Sequence, residues 1–177
     1  MEKIFHVKKN RFSSTDETLR FIFNRFYGIL NAEIIRNENG KPFLKSKETF
    51  PPLFCSVSHT DNELFIVISS KNVGLDVENT HRTVHYEPII KRFSTLERKE
   101  IQNVQDFLKH WTSKESAIKW LGGSIANDLY KLEFIENELI YKGIRLPVQI
   151  SFLPYNDYLL SVCSEVDFSK IQITEIE

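Results

Sequence analysis

Two short stretches of this sequence carry residue types that could do chemistry together. One is Gly74-Leu75-Asp76-Val77-Glu78, the other Trp111-Thr112-Ser113-Lys114-Glu115-Ser116-Ala117-Ile118-Lys119. In the first, Val73, Leu75 and Val77 alternate with Gly74, Asp76 and Glu78. A strand with this alternation turns both carboxylates to one face. In the second, Trp111, Glu115 and Lys119 stand four apart, along one stripe of a helix. If strand and helix pack together, three carboxylates and a lysine converge. Hard divalent cations such as Mg²⁺ take oxygen ligands of this kind and complete their shell with water and substrate phosphates. A lysine beside them would neutralise phosphate charge. Neither stretch suffices alone. A lone D-x-E strand is ordinarily a solvated face, and a helix with these charges is ordinarily an amphipathic surface helix.

The elements that must position these residues are legible from periodicity and caps. Ile4 to Val7 reads as a short strand, followed by the basic cluster Lys8-Lys9-Asn10-Arg11, a solvated loop or a hold for an anionic ligand. Ser13 to Glu17 supplies a helix start, and Leu19, Ile22, Phe23, Phe26, Tyr27 and Leu30 repeat at helical spacing to about Asn31. Asn37 to Pro42 is a turn, and Pro51-Pro52 marks another irregular stretch. Phe54 to Ser58 and Leu64 to Ile68 form a hairpin about Thr60 to Glu63, with His59 where the first strand gives way. Asn79 to His85 reads as loop and Tyr86 to Phe93 as a short helix. Ser94 to Glu97 caps the next helix, whose Glu97 and Glu100 are expected in solvent. A long helix runs from about Val104 to Leu121 and stops at Gly122-Gly123. Strands follow at Lys131 to Ile135, Glu138 to Tyr141, Val148 to Phe152 and Tyr158 to Cys163; Asp167 to Glu177 is weakly patterned and expected to fray.

Composition narrows the function. The chain has 177 residues, 41% of them apolar, enough for one domain or two small fused halves. A formal charge of −1 gives no global basic field, so nucleic acid is not the expected partner. The longest apolar run, Leu64 to Ile68, falls far short of the ~20 residues of a membrane span. Cys55 and Cys163 lack ligand spacing and read as buried free thiols. With no signal-like stretch after Met1-Glu2-Lys3, a soluble, cytoplasmic protein is expected. The hairpin of 54–69 has a faint echo in Gln149 to Cys163. This suggests an α+β fold of two similar halves, residues 1–71 and 72–177.

The two central stretches resemble the double signature of the 4′-phosphopantetheinyl transferases. Gly40-Lys41-Pro42 resembles that family's G-K-P turn, and Ser56-Val57-Ser58-His59-Thr60 its N-x-S-H-S segment. Ile89 to Ser94 resembles the segment between the signatures. These pieces occur in family order. A full helix, the G-K-P turn and the S-H-T hairpin precede Asp76, as in the larger surfactin-synthetase-activating type. The short holo-acyl-carrier-protein synthase type, a trimer, has its Asp motif near the N-terminus. The larger type is a single-chain pseudo-dimer, its halves related by a pseudo-twofold with the active site between them, so a monomer is expected.

The resemblance implies transfer of the phosphopantetheine arm of coenzyme A to a serine of an acyl or peptidyl carrier protein, with Mg²⁺. It implies Asp76 and Glu115 as principal metal ligands and Glu78 as the third carboxylate. Glu115 would also be the base for the serine, and Lys119 would meet the diphosphate, as would Lys114. Ser58 and His59 would contact a coenzyme A phosphate, Lys41 and Pro42 the adenine end, and Arg11 and Arg20 the 3′-phosphate. Ser56 departs from the family's usual Asn. Two other readings use the same residues: a non-catalytic coenzyme A or carrier-protein binding module, and a metal-dependent nuclease.

Overall fold

The computed structural model describes residues 2–45 and 52–177; Pro51 of the Pro51-Pro52 stretch lies outside the described residues. The chain opens with β1 (Lys3–Lys8), a single 3₁₀ turn at Lys9–Arg11 and helix α1 (Thr15–Tyr27). Ser14 caps α1 by accepting from the Glu17 amide, and Gly28 ends it in the left-handed region at φ 70°. Strands β2 (Glu33–Arg36), β3 (Pro42–Lys45), β4 (Phe54–Thr60), β5 (Glu63–Ser69) and β6 (Val73–Asn79) follow. After them come α2 (Glu87–Ile90), α3 (Thr95–Glu100), α4 (Val104–Leu121) and α5 (Ile125–Asp128). The chain closes with β7 (Leu132–Ile135), β8 (Glu138–Tyr141), β9 (Ile144–Arg145), β10 (Gln149–Tyr155), β11 (Tyr158–Ser164) and β12 (Ile173–Ile176).

These elements stack in layers, as a mixed α+β fold requires. A six-stranded sheet has the order β12-β1-β5-β4-β3-β2. Its outer face buries Phe5, Val7, Leu64, Ile66 and Ile68 against Leu19, Ile22 and Phe23 of α1. Its inner face presents Ile4, Phe65 and Val67 to Val73, Leu75, Val77, Leu160 and Val162 of a three-stranded sheet ordered β10-β11-β6. On the far side of that second sheet lies α4, whose Phe107, Leu108, Ala117 and Ile118 share a third core with Cys163 and with Leu132 and Phe134 of β7. The alternation in β6 thus divides its residues between two layers: Val73, Leu75 and Val77 enter the core between the sheets, while Gly74, Asp76 and Glu78 face α4.

Two expectations need correction. The residues after Asp167 do not fray: β12 pairs in parallel with β1, and Phe168 is fully buried. Their partner is at the opposite end of the chain, where local patterning gives no hint of it. Glu97 is not in solvent either. It is 0% exposed, and its capping box with Ser94 turns its side chain inward. Both cysteines are buried and free. No helix among the described residues is long and apolar enough to cross a membrane.

Candidate active site

The site is built where β6 packs on α4. Alternate residues of a strand advance by about 6.7 Å, and four residues of a helix by about 6 Å. The D-x-E strand and the W-x-x-x-E-x-x-x-K stripe therefore stay in step when laid antiparallel. Trp111 Nε1 donates to Glu78 Oε1 at 3.1 Å. Lys119 Nζ donates to Asp76 Oδ1 at 2.8 Å. Glu115 sits between them, and the nearby charges of Asp76 and Glu78 act on its carboxyl. Gly74 makes this approach possible. A Cβ there would lie 1.9 Å from Ser116 O and 2.5 Å from Trp120 N. A glycine within a strand pattern is the sequence signal of such close backbone contact.

β4 completes the cluster through two serines. Pairing with β11 leaves the amides of Leu75 and Val77 on the open edge of β6. Ser56 Oγ accepts from Leu75 N at 3.0 Å, and Ser58 Oγ from Val77 N at 3.2 Å. Ser58 Oγ also donates to Asp76 Oδ1 at 2.9 Å and accepts from Lys119 Nζ at 3.0 Å. With its hydroxyl so engaged and only 4% exposed, Ser58 holds Asp76 and Lys119 in place.

Charge is deliberately crowded here. Burial, together with the negative charges of Asp76 and Glu78, pushes the Glu115 carboxyl up to about 8, while Lys119 pulls it the other way. Burial also raises Glu78, against the Arg82 guanidinium with which it is ion-paired. Asp76 is 3% exposed, and its Oδ2 is buried with no fixed N–H or O–H donor, so that only a protonated Glu115 carboxyl is left to hydrogen-bond to Asp76. An orphaned carboxylate oxygen beside a second carboxylate is a donor set that fits a hard divalent cation. Asp76 and Glu115 are the pair such an ion would join. Among the described residues no group of three or more His, Cys, Asp or Glu is gathered as a ready-made ligand set, and Glu78 is held by Arg82 and Trp111.

The remaining candidates divide sharply. His59 is exposed, with its pKa lowered by burial and by the positive charges of Lys9 and Lys119. That places its imidazole near Lys9 and Lys119, beside the cluster. Lys114 requires correction. It is 0% exposed, ion-paired to Glu97 at 2.8 Å, and stacked over the Phe93 ring at 4.0 Å. One residue of helix, about 100° of rotation, separates it from Glu115 and points it into the protein. Lys41 is 8% exposed, and its Nζ donates to Asn72 Oδ1 and Trp120 O; the ammonium faces the end of α4. Pro42 begins β3 and is buried. Arg11 and Arg20 are exposed, Arg20 in a hollow with Phe12 and Phe21. No hydrogen bond or ion pair among the described residues joins either to the Asp76 cluster. Sequence reading placed Trp111 on the stripe without giving its Nε1 a role, and overlooked Arg82 and the asparagines 37, 39 and 72, which carry no motif of their own.

Comparison with known proteins bears on this geometry. A family model described as the 4′-phosphopantetheinyl transferase superfamily matches residues 72–163, a span that includes Asp76, Glu78, Glu115 and Lys119. The chain belongs to this superfamily. It is 28% identical over 142 residues to the 4′-phosphopantetheinyl transferase HetI of Nostoc sp., covering 75% of this chain and 58% of that protein. It is 32% identical over 100 residues to the 4′-phosphopantetheinyl transferase AcpT of Escherichia coli O157:H7, covering 52% of this chain and 50% of that protein. The chain thus spans little more than half the length of these relatives. For this superfamily member, the matched region coincides with the packing of β6 on α4, and the clasping serines of β4 lie outside it.

Proposed function

We propose that this chain transfers the 4′-phosphopantetheine arm of coenzyme A to a serine hydroxyl of an acyl or peptidyl carrier protein, with Mg²⁺, releasing adenosine 3′,5′-bisphosphate. The observation that carries this reading is the Asp76–Ser58–Lys119 cluster with Glu115 against it and one buried Asp76 oxygen left without a fixed donor. Asp76 and Glu115 would hold the cation, with Glu78 in reach as third carboxylate. When bound, the ion would withdraw charge from the diphosphate.

This chain's own residues do the rest. A serine hydroxyl is a poor nucleophile until a base takes its proton, and Glu115, ionised once a cation offsets the charges of Asp76 and Glu78 that raise it, would take that proton directly or through a water. Serine Oγ bonds to the phosphorus bearing the pantetheine. The bond from that phosphorus to the bridging diphosphate oxygen breaks, and the electron pair leaves with adenosine bisphosphate. Glu115 holds the serine proton, and Lys119 neutralises diphosphate charge. Lys9 offers positive charge and His59 a ring N–H to the phosphates of coenzyme A, and Arg11 and Arg20 extend the positive charge along the first half.

On this reading the protein is of the surfactin-synthetase-activating type. Residues 1–71 and 72–177 are its two pseudo-twofold halves, and it acts as a monomer in the cytoplasm. What supports the two halves is that each of the two facing sheets carries one long helix on its outer face, α1 on the six-stranded sheet and α4 on the β10-β11-β6 sheet. The test is intact-mass spectrometry of an apo acyl carrier protein, then a peptidyl carrier protein, incubated with this protein, coenzyme A and Mg²⁺. The expected result is a gain of one phosphopantetheine arm, abolished by EDTA. Coenzyme A binding without transfer to either carrier would replace the proposal with a binding module. Mg²⁺-dependent cutting of DNA or RNA without any use of coenzyme A would replace it with a nuclease.

A further inference from the structure

The C-terminus of α4 is closed by Asn37, Asn39 and Lys41 of the β2–β3 turn together with Asn72. A helix leaves its last carbonyls without intrahelical partners. Those of Ile118 and Lys119 accept from the Gly122 amide, which lies in a left-handed cap. The Trp120 carbonyl accepts from Lys41 Nζ at 3.2 Å and Asn72 Nδ2 at 2.8 Å. The Gly122 carbonyl accepts from Asn37 Nδ2 at 2.9 Å and Asn39 Nδ2 at 2.8 Å. Asn37 also shapes its own turn, its Oδ1 accepting from the amides of Asn39 and Lys41. The fit is close: a Cβ on Gly122 would stand 3.1 Å from Asn37 Nδ2. A cation at this end of a helix is also favoured by the helix dipole.

We propose that the turn Asn37–Lys41 is a clasp that fixes the end of α4 and so positions Lys119, and that Lys41 acts as a positioning residue and not as a contact to coenzyme A. Lys119 precedes Trp120, so the carbonyl gripped by Lys41 and Asn72 is one residue from the lysine that meets Asp76. The clasp binds the β2–β3 turn to the helix bearing Glu115 and Lys119. The significance of Lys119 rests on the function proposed above; the clasp itself does not.

The test compares Lys41→Met, Asn37→Ala and Asn39→Ala, with Glu38→Ala as control, since Glu38 is exposed in the same turn. The first readout is amide hydrogen exchange across residues 117–122 in the ligand-free protein. Each of the three variants should speed exchange there by about tenfold, the scale of one lost hydrogen bond to a helix end, and Glu38→Ala should not. Unchanged exchange in Asn37→Ala and Asn39→Ala would overturn the clasp, even if Lys41→Met failed to fold. The second readout is kcat/KM with coenzyme A and with its analogue carrying hypoxanthine in place of adenine. A positioning role lowers both by the same factor, and the asparagine variants follow Lys41→Met. A change in the ratio of the two substrates, confined to Lys41→Met, would make Lys41 a base contact and overturn the assignment. If the wild-type protein transfers nothing, the proposed function fails, and the exchange data still decide the clasp.

Discussion

Helix α4 carries two lysine–carboxylate pairs five residues apart, and they are opposites. Lys114 and Glu97 are 1% and 0% exposed at their side chains, and every oxygen of Glu97 is occupied: Oε1 accepts from Lys114 Nζ and Phe134 N, Oε2 from Ser94 N. Lys119 and Asp76 are 29% and 4% exposed, and one oxygen of Asp76 has no fixed donor. The first pair knits α3, α4 and β7 into one core. The second is partly reached by solvent at Lys119 and keeps bonding capacity in reserve. The distinction is made by satisfaction: a buried charge with all its partners is architecture, and one held short of them is available to a ligand.

The largest expected effect tests the architectural pair. Lys114→Met removes the partner of a fully buried carboxylate and should cost about 3–5 kcal/mol of stability, read as the loss in unfolding free energy by urea titration. Lys119→Met should cost clearly less, because water reaches that ammonium. Equal losses would show that the two pairs do the same work and would remove the basis of the comparison.

How far this division could be read from sequence depends on how local each feature is. α4 was legible at both ends, because its hydrophobic repeat and its Gly122-Gly123 stop are local. β6 was legible for the same reason, and the matching of its two-residue repeat to the four-residue repeat of α4 brought Asp76, Glu115 and Lys119 together as the spacing implied. Features that depend on a distant partner were not legible. β12 reads as a tail until β1 pairs with it. Lys114 and Lys119 read alike until α3 supplies Glu97 for one and β4 supplies Ser58 beside the other. Lys41 reads as a free cation in a polar turn until the end of α4 meets it.

A second, smaller effect sharpens the functional pair. Asp76→Asn keeps the shape and removes the charge. Transfer activity should fall by about 10²–10³-fold, the scale for losing one preorganised electrostatic group, while the unfolding free energy of metal-free protein holds or rises. The stability gain follows from the crowding: Glu115 is raised partly by Asp76, so removing that charge relieves it. Retained turnover would mean that Asp76 is architectural like Glu97.

The smallest effect, taken over one pH unit, lies in pH. In metal-free protein Glu115 has its pKa raised from 4.5 to about 8, so the native state keeps a proton that the unfolded chain releases. The stability contributed by that proton is fully present below pH 4.5 and is lost as pH rises toward 8. The slope is at most about 1.4 kcal/mol per pH unit. Glu115→Gln has no such proton, so its unfolding free energy should lack this decline between pH 5 and 8. Added Mg²⁺ should offset the decline in the wild-type protein at pH 7.5, because a cation takes over the charge that the proton neutralised, and should do less for Glu115→Gln. Identical pH profiles for the two proteins would place Glu115 with Glu97, as a carboxylate whose charge the fold already satisfies.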